Sequence, residues 1–205
     1  TTFAGTVTPL LVLPRTEAWY VTDYTATSNN NPIMSDAKEA ARAAGFPPED
    51  FQHYTVIYTG GPGSFGGLGS VGGSSAWLKS GSVGVFEHEI GHNVGVWHSN
   101  FWNTGGASVI GPGANVEYGH IKDVMGSSGS AGHFNASMKE QLKWITAENY
   151  HTALSSGTYR LFQFDQANQD PARRYSLKVA KDADRDYWLE FRQKFSTNPW
   201  WTNGV

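Results

Sequence analysis

His88, Glu89, His92, Gly95 and His98 stand in one eleven-residue stretch, His-Glu-Ile-Gly-His-Asn-Val-Gly-Val-Trp-His. On an α-helix the four-residue step from His88 to His92 puts both imidazoles on one face, where they can grip a single metal ion. A glycine at 95 lets the helix end on a positive φ without Cβ strain, so the chain can turn and bring His98 to the same ion from another direction. Three neutral imidazoles with one open position make a catalytic zinc site, whereas structural zinc is enclosed by four protein ligands, often thiolates. This chain has no cysteine. Glu89 projects about 100° around the helix from His88, which places it beside the metal and not on it. Zinc lowers the pKa of water toward about 7 and polarises a carbonyl. Glu89 is then the general base, taking a proton from the water and passing it to a leaving amine. A surface helix that carries two histidines by chance explains neither Gly95 nor His98.

Positioning these groups requires a helix with a core side and a metal side. Ser82 is the expected N-cap and Gly95 the stop, with Val83, Phe86, Ile90 and Val94 forming the apolar face. Upstream, residues 3–13 and 17–24 alternate apolar and β-branched residues and read as strands. Asn29 to Pro32 reads as a turn or loop, and Ser35 caps a helix through Ala44. His53 to Thr59 is a strand. The glycine-rich stretch from Gly60 to Gly73 formally matches a dinucleotide fingerprint at Gly61-Pro-Gly63-Ser-Phe-Gly66. It lacks the following helix and acidic residue, and no Gly-Lys-Ser/Thr makes it a phosphate loop. The better reading is a loop and edge strand, Leu68 to Leu78, on the rim of a cleft, pairing with an extended polypeptide substrate by strand addition. Its glycines would let the substrate backbone approach closely.

Composition bounds the alternatives. With 205 residues the chain can bury one sizeable core, alone or with a smaller partner domain. A net charge of −3 with 16% charged residues provides no basic field for nucleic acid or an anionic membrane. There is no apolar run long enough for a membrane span. Thr1 opens no signal segment, so the chain reads as a mature or trimmed form. The 24 glycines and 8 tryptophans suit a loop-rich extracellular enzyme.

The pattern His88-Glu89-x-x-His92-x-x-Gly95-x-x-His98 resembles the metzincin form of the zinc-peptidase motif. Metzincins carry a downstream methionine in a tight turn beneath the metal, and Asp123-Val124-Met125-Gly126 follows at a suitable distance. More narrowly, the motif, this turn and Phe134-Asn-Ala-Ser-Met-Lys-Glu-Gln-Leu-Lys-Trp144 resemble the gametolysin-like metzincins, secreted endopeptidases that act on extracellular or cell-wall proteins. The likeness is best over residues 51–147. It implies an α+β fold: a twisted, mainly parallel sheet with an antiparallel edge strand, an active-site helix, a Met-turn and a C-terminal helix. It also implies one catalytic Zn2+, with Met125 as the hydrophobic floor of the site. Astacin-like and serralysin-like relatives have a tyrosine two residues after the turn methionine. This chain has Ser127, too short to reach metal or oxyanion. Tyr118 and His120, just upstream, could contact the substrate or oxyanion, or serve as wall residues.

Residues 1–147 thus read as a metzincin-like catalytic domain and 148–205 as a small β-rich unit that continues in a longer natural chain. Thr158 to Phe164, Tyr175 to Ala180 and Tyr187 to Phe195 are expected to be three antiparallel strands. Residues 99–122 form a long connection that shapes the site. Gly126 to Gly132 belongs to the pocket for the residue after the scissile bond. Ser137-Met-Lys-Glu140 is a capping box opening a helix to about Trp144. Asp182-Ala-Asp184-Arg-Asp186 resembles the start of a calcium loop but lacks its glycine and distal glutamate, so calcium has no support and the segment reads as a solvated hairpin turn. His53, His133 and His151 have no ligand spacing. The rival to a zinc endopeptidase is a silent zinc-containing binding or adhesion module, which chelator-sensitive cleavage would exclude.

Overall fold

The computed structural model describes residues 4–27, 31–107, 111–128, 132–164 and 170–192. It is a mixed α+β chain of small sheets and, among the described residues, four α-helices. It divides into two compact units, Thr1–Gly95 and Val96–Val205. The change of pattern expected at residue 147 falls inside the second.

The first unit begins with a correction. Residues 4–16 form no regular element, and Val7, Leu10 and Val12 are almost fully exposed. Residues 17–24, read as a strand, lie in helix α1, Glu17–Thr27. Local hydrogen bonding explains the change. The Thr16 hydroxyl accepts the Trp19 N–H at 3.2 Å, an N-cap bond. Thr22, Thr25 and Thr27 donate back to the carbonyls four residues earlier, so β-branched residues sit in the helix with their hydroxyls satisfied. The Tyr20 hydroxyl donates to Asp36 at 2.7 Å, and Asp36 lies on α2, Asn31–Ala43. Helix α2 thus starts earlier than Ser35, within the expected turn at Asn29 to Pro32, of which residues 29 and 30 lie outside the described set.

A three-stranded sheet follows: β1 Tyr54–Ile57, β2 Gly67–Gly69 and β3 Ser75–Leu78, in the order β1-β3-β2. β1 and β3 are parallel, with Tyr54 opposite Ser75 and Ile57 opposite Leu78. β2 is antiparallel to β3 at an edge of this sheet, Gly67 opposite Leu78. The stretch expected as one strand, Leu68 to Leu78, is therefore two strands and a turn. Helix α3, Val83–Asn93, packs on β2 and β3.

The second unit holds a hairpin, β4 Phe101–Asn103 with β5 Ala114–Val116, inside the long connection. Then come helix α4, Ala136–Gln141, and a sheet of β6 Tyr150–Ala153, β7 Ser176–Ala180 and β8 Asp186–Glu190. The expected all-antiparallel unit is corrected here: β6 and β7 run parallel, and only β7 and β8 are antiparallel. Residues 158–164 form no strand beyond one bridge, Gln163 to Phe191. The strand partner is instead Tyr150–Ala153. Arg185 pairs with Asp182 across the β7–β8 turn, so the acidic segment is a hairpin turn. The end of the third expected strand, 193–195, lies outside the described residues, as does the terminal stretch from Trp200.

Helix α4 is capped two residues earlier than the capping-box reading placed it. Asn135 is the N-cap, its side chain accepting the Met138 N–H at 3.0 Å, and the helix stops at Gln141, short of Trp144. Val96, Val124, Met125 and Met138 form one buried cluster, and Ala136, Ile145, Phe164 and Tyr175 another. Lys122, Met125 and residues 134–136 are held by buried polar side chains. Asp123, fully buried, accepts the Met125 N–H at 2.7 Å and the Asn135 N–H at 2.6 Å. Arg192, beyond β8, donates to the carbonyls of Lys122 at 2.8 Å and Phe134 at 3.0 Å and pairs with Glu190. Glu190 in turn accepts the Ala136 N–H at 2.8 Å. No helix among the described residues is long and apolar enough to cross a membrane.

Replacing Asp123 by Ala strands one buried and one half-buried amide donor, each costing about 1–3 kcal/mol. Asp123→Ala is expected to lower stability by about 3 kcal/mol or more in urea unfolding, with the slope unchanged.

Candidate metal centre

Helix α3 starts after Ser82, which occupies the N-cap with extended dihedrals but makes no side-chain cap bond. The other end is closed more firmly. Gly95 has φ +103°, the conformation expected of a glycine stop. Its N–H and that of Gly72 both donate to the His92 carbonyl, at 2.9 and 2.8 Å. Asn93, buried, donates from its amide to the carbonyls of Ser70 at 3.1 Å and Ser75 at 2.8 Å. The turn between β2 and β3 is thereby fastened to the last residues of the helix. In the sequence Asn93 shows no role beyond being a polar residue beside a ligand at a helix end.

The orientation of α3 differs from the expected division into an apolar side and a metal side. Val83 is 61% exposed and Phe86 39% exposed, whereas Ile90, Gly91, Glu89 and His92 are buried. The reason lies in what β2 presents. A Cβ on Gly67 would stand 2.7 Å from Glu89 Cγ and 2.8 Å from a Val85 methyl. One on Gly69 would stand 2.4 Å from the Glu89 carbonyl oxygen and 2.9 Å from His92 Cβ. Val85, Glu89 and His92 follow the i, i+4, i+7 spacing of one helical face, and that face meets a strand with almost no side chains. The glycines of β2 serve the approach of the helix.

Glu89 is 5% exposed. Burial pushes its carboxyl up to about 7, against a smaller lowering by the Gly69 N–H. Burial also raises Glu87. The rings of His88 and His92 meet edge to face with centroids 4.8 Å apart. His88, His92 and His98 each offer a ligand atom, and these atoms lie within 4.8 Å of one another. Among the described residues this is the one cluster of three or more His, Asp or Glu donors that could hold a metal ion.

His98 is braced by its neighbours. Its Nδ1 lies 2.7 Å from Glu117 Oε1, and the Tyr118 ring packs on it with centroids 3.9 Å apart. Tyr118 has φ +57° and donates its N–H to the Asn100 side chain at 3.0 Å. His120 is placed differently. Its Nδ1 accepts the Lys122 N–H at 3.2 Å, and burial lowers its pKa against the raising effect of Asp123. Met125 is fully buried within a turn, and its carbonyl accepts the N–H of Ser99 at 2.8 Å, one residue beyond His98. A Cβ at Gly126 would stand 2.1 Å from the His120 carbonyl oxygen, so the turn closes only with glycine there. Of the segment expected to shape a pocket, 126–132, residues 129–131 lie outside the described set.

Lys79 explains the glycine-rich loop. Its ammonium donates to the carbonyls of Gly61, Pro62 and Gly63, at 3.2, 3.2 and 2.6 Å. Carbonyl oxygens converging on a cation are the reverse of a phosphate cradle, which presents N–H groups.

Compared with known family models, curated protein sequences and solved structures, the chain gives no match.

Two outcomes follow. Gly69→Ala forces a Cβ against helix backbone and is expected to destabilise the protein by about 1–3 kcal/mol and weaken metal retention, read by melting and by elemental analysis. The Glu89 carboxyl has a folded pKa above its ordinary value, so its contribution to stability is full below about 4.5 and lost as pH rises through about 7. In metal-free protein Glu89→Gln should therefore melt above the parent at pH 8 and alongside it near pH 4.

Proposed function

We propose that this chain is a metal-dependent hydrolase of peptide bonds, with His88, His92 and His98 holding a zinc ion. The observation that carries the reading is the convergence of these three imidazoles within 4.8 Å. The donor set fits zinc: three nitrogen ligands, in a chain without a thiolate to complete a structural site. More particularly, we read it as a metzincin endopeptidase of the gametolysin-like kind, secreted and acting on extracellular or cell-wall proteins. This rests on the spacing of the motif and on Met125, buried in a turn whose backbone bonds to Ser99.

Zinc, when bound, supplies a Lewis acid that acidifies water and polarises the scissile carbonyl. Glu89 holds the attacking water and takes its proton. A buried carboxylate beside the ligands can accept that proton and return it to the leaving amine. Tyr118, packed at a tilt on His98, is a better wall for the substrate than His120, whose Nδ1 already accepts a backbone N–H. The polypeptide lies extended along the outer edge of β2, pairing backbone to backbone. An edge made of Gly67, Leu68 and Gly69 adds little side-chain bulk to that approach.

The test is elemental analysis and peptide hydrolysis on parent and variants. The parent is expected to carry about one zinc per chain and to cleave an unfolded protein mixture in a chelator-sensitive way. Glu89→Ala should keep the metal and lose about 10²–10⁴-fold in rate, the usual contribution of a general base. Full activity in that variant would refute the mechanism, and metal without cleavage in the parent would favour a silent binding module.

A further inference from the structure

Resting on the zinc reading above, we infer that Glu117 is a positioning residue for the third ligand: it fixes the tautomer and ring orientation of His98. The 2.7 Å contact joins Glu117 Oε1 to Nδ1 of the imidazole. A carboxylate only accepts, so Nδ1 carries the proton and donates it. Nε2 is then the nitrogen with its lone pair available to a metal. Metal-bound histidines commonly donate their other ring N–H to a carboxylate or carbonyl, which raises ligand basicity and removes rotational freedom.

The hairpin is built to hold Glu117 there. β5 ends at Val116, which pairs with Phe101 on β4. The chain then turns, with the Gly119 N–H donating to the Val116 carbonyl at 3.1 Å. Tyr118 occupies the left-handed region, which is strained for a non-glycine residue, and the Asn100 side chain holds its N–H. A Cβ at Gly119 would stand 2.5 Å from Phe101 Cβ, so the turn lies directly on β4. Glu117 is itself 64% exposed on its side chain, against 21% for His98. A backbone fastened on both sides lets an exposed carboxylate stay on the ring. Tyr118 covers the face of the same imidazole, so His98 is gripped at its edge and its face by consecutive residues.

The experiment measures zinc affinity by competition with a chromophoric chelator, on parent, Glu117→Ala and Glu117→Gln, with melting of each metal-free protein. The alanine variant is expected to bind zinc about 10- to 100-fold more weakly with an unchanged apo melting temperature. The glutamine variant, which keeps an acceptor oxygen, should recover most of the loss. In zinc-loaded parent, ¹⁵N NMR should report His98 protonated at Nδ1 and metallated at Nε2. Parent-like zinc affinity in Glu117→Ala, or metal on Nδ1, overturns the role of Glu117 while leaving the zinc site standing. A parent that binds no zinc refutes the underlying reading instead.

Discussion

Helix α3 and strand β2 approach so closely that no side chain fits between Gly69 and the backbone of Glu89. Most of what distinguishes the first unit follows from that constraint. The helix turns Val85, Glu89 and His92 toward the strand and leaves Val83 and Phe86 outside. Glu89 is buried against a surface that offers a backbone N–H and no counter-charge, so its carboxyl rises toward neutrality. The same approach brings the β2–β3 turn to the end of the helix, where Gly72 and Asn93 connect the two. A larger residue in β2 would separate helix from sheet and return Glu89 to water.

The second unit uses charge where the first uses absence of side chains. Asp123 and Arg192 are buried polar groups that bind backbone: one accepts two N–H groups, the other donates to carbonyls on both sides of the turn. Burying charge is costly unless it is fully hydrogen-bonded. The return here is a fixed position for Met125 and for the start of α4. Asn135 links the same network to Ser99 at 3.0 Å, so the residue after His98 shares the scaffold of the turn.

Residues 17–24 look like a strand because threonine, valine and tyrosine favour one, yet threonine hydroxyls can bond within a helix and Thr16 caps it. The capping box at Ser137 is real as a pattern, but Asn135 captures the first free N–H two residues earlier. The third strand of the C-terminal sheet comes from Tyr150–Ala153, a segment with little alternation. Its partner, β7, is far along the chain, and pairing over that distance leaves no local pattern to read. Glu117 acts on a ring nineteen residues away, and Asp123 joins the nearby Met125 N–H to that of Asn135, so neither role is written in a local pattern.

By itself, the sequence determined the local part of the site. Donor types, the helical step from His88 to His92, the stop at Gly95 and the turn at Met125 depend on chemistry and spacing within a few residues, which backbone geometry translates directly. Tertiary structure alone decided which face of α3 is buried, what raises the Glu89 carboxyl, and which carboxylate meets His98. These depend on approach between segments far apart in the chain, such as Gly67 to Glu89 and Glu117 to His98. Periodicity records that a residue has a side; it does not record what will be packed against it.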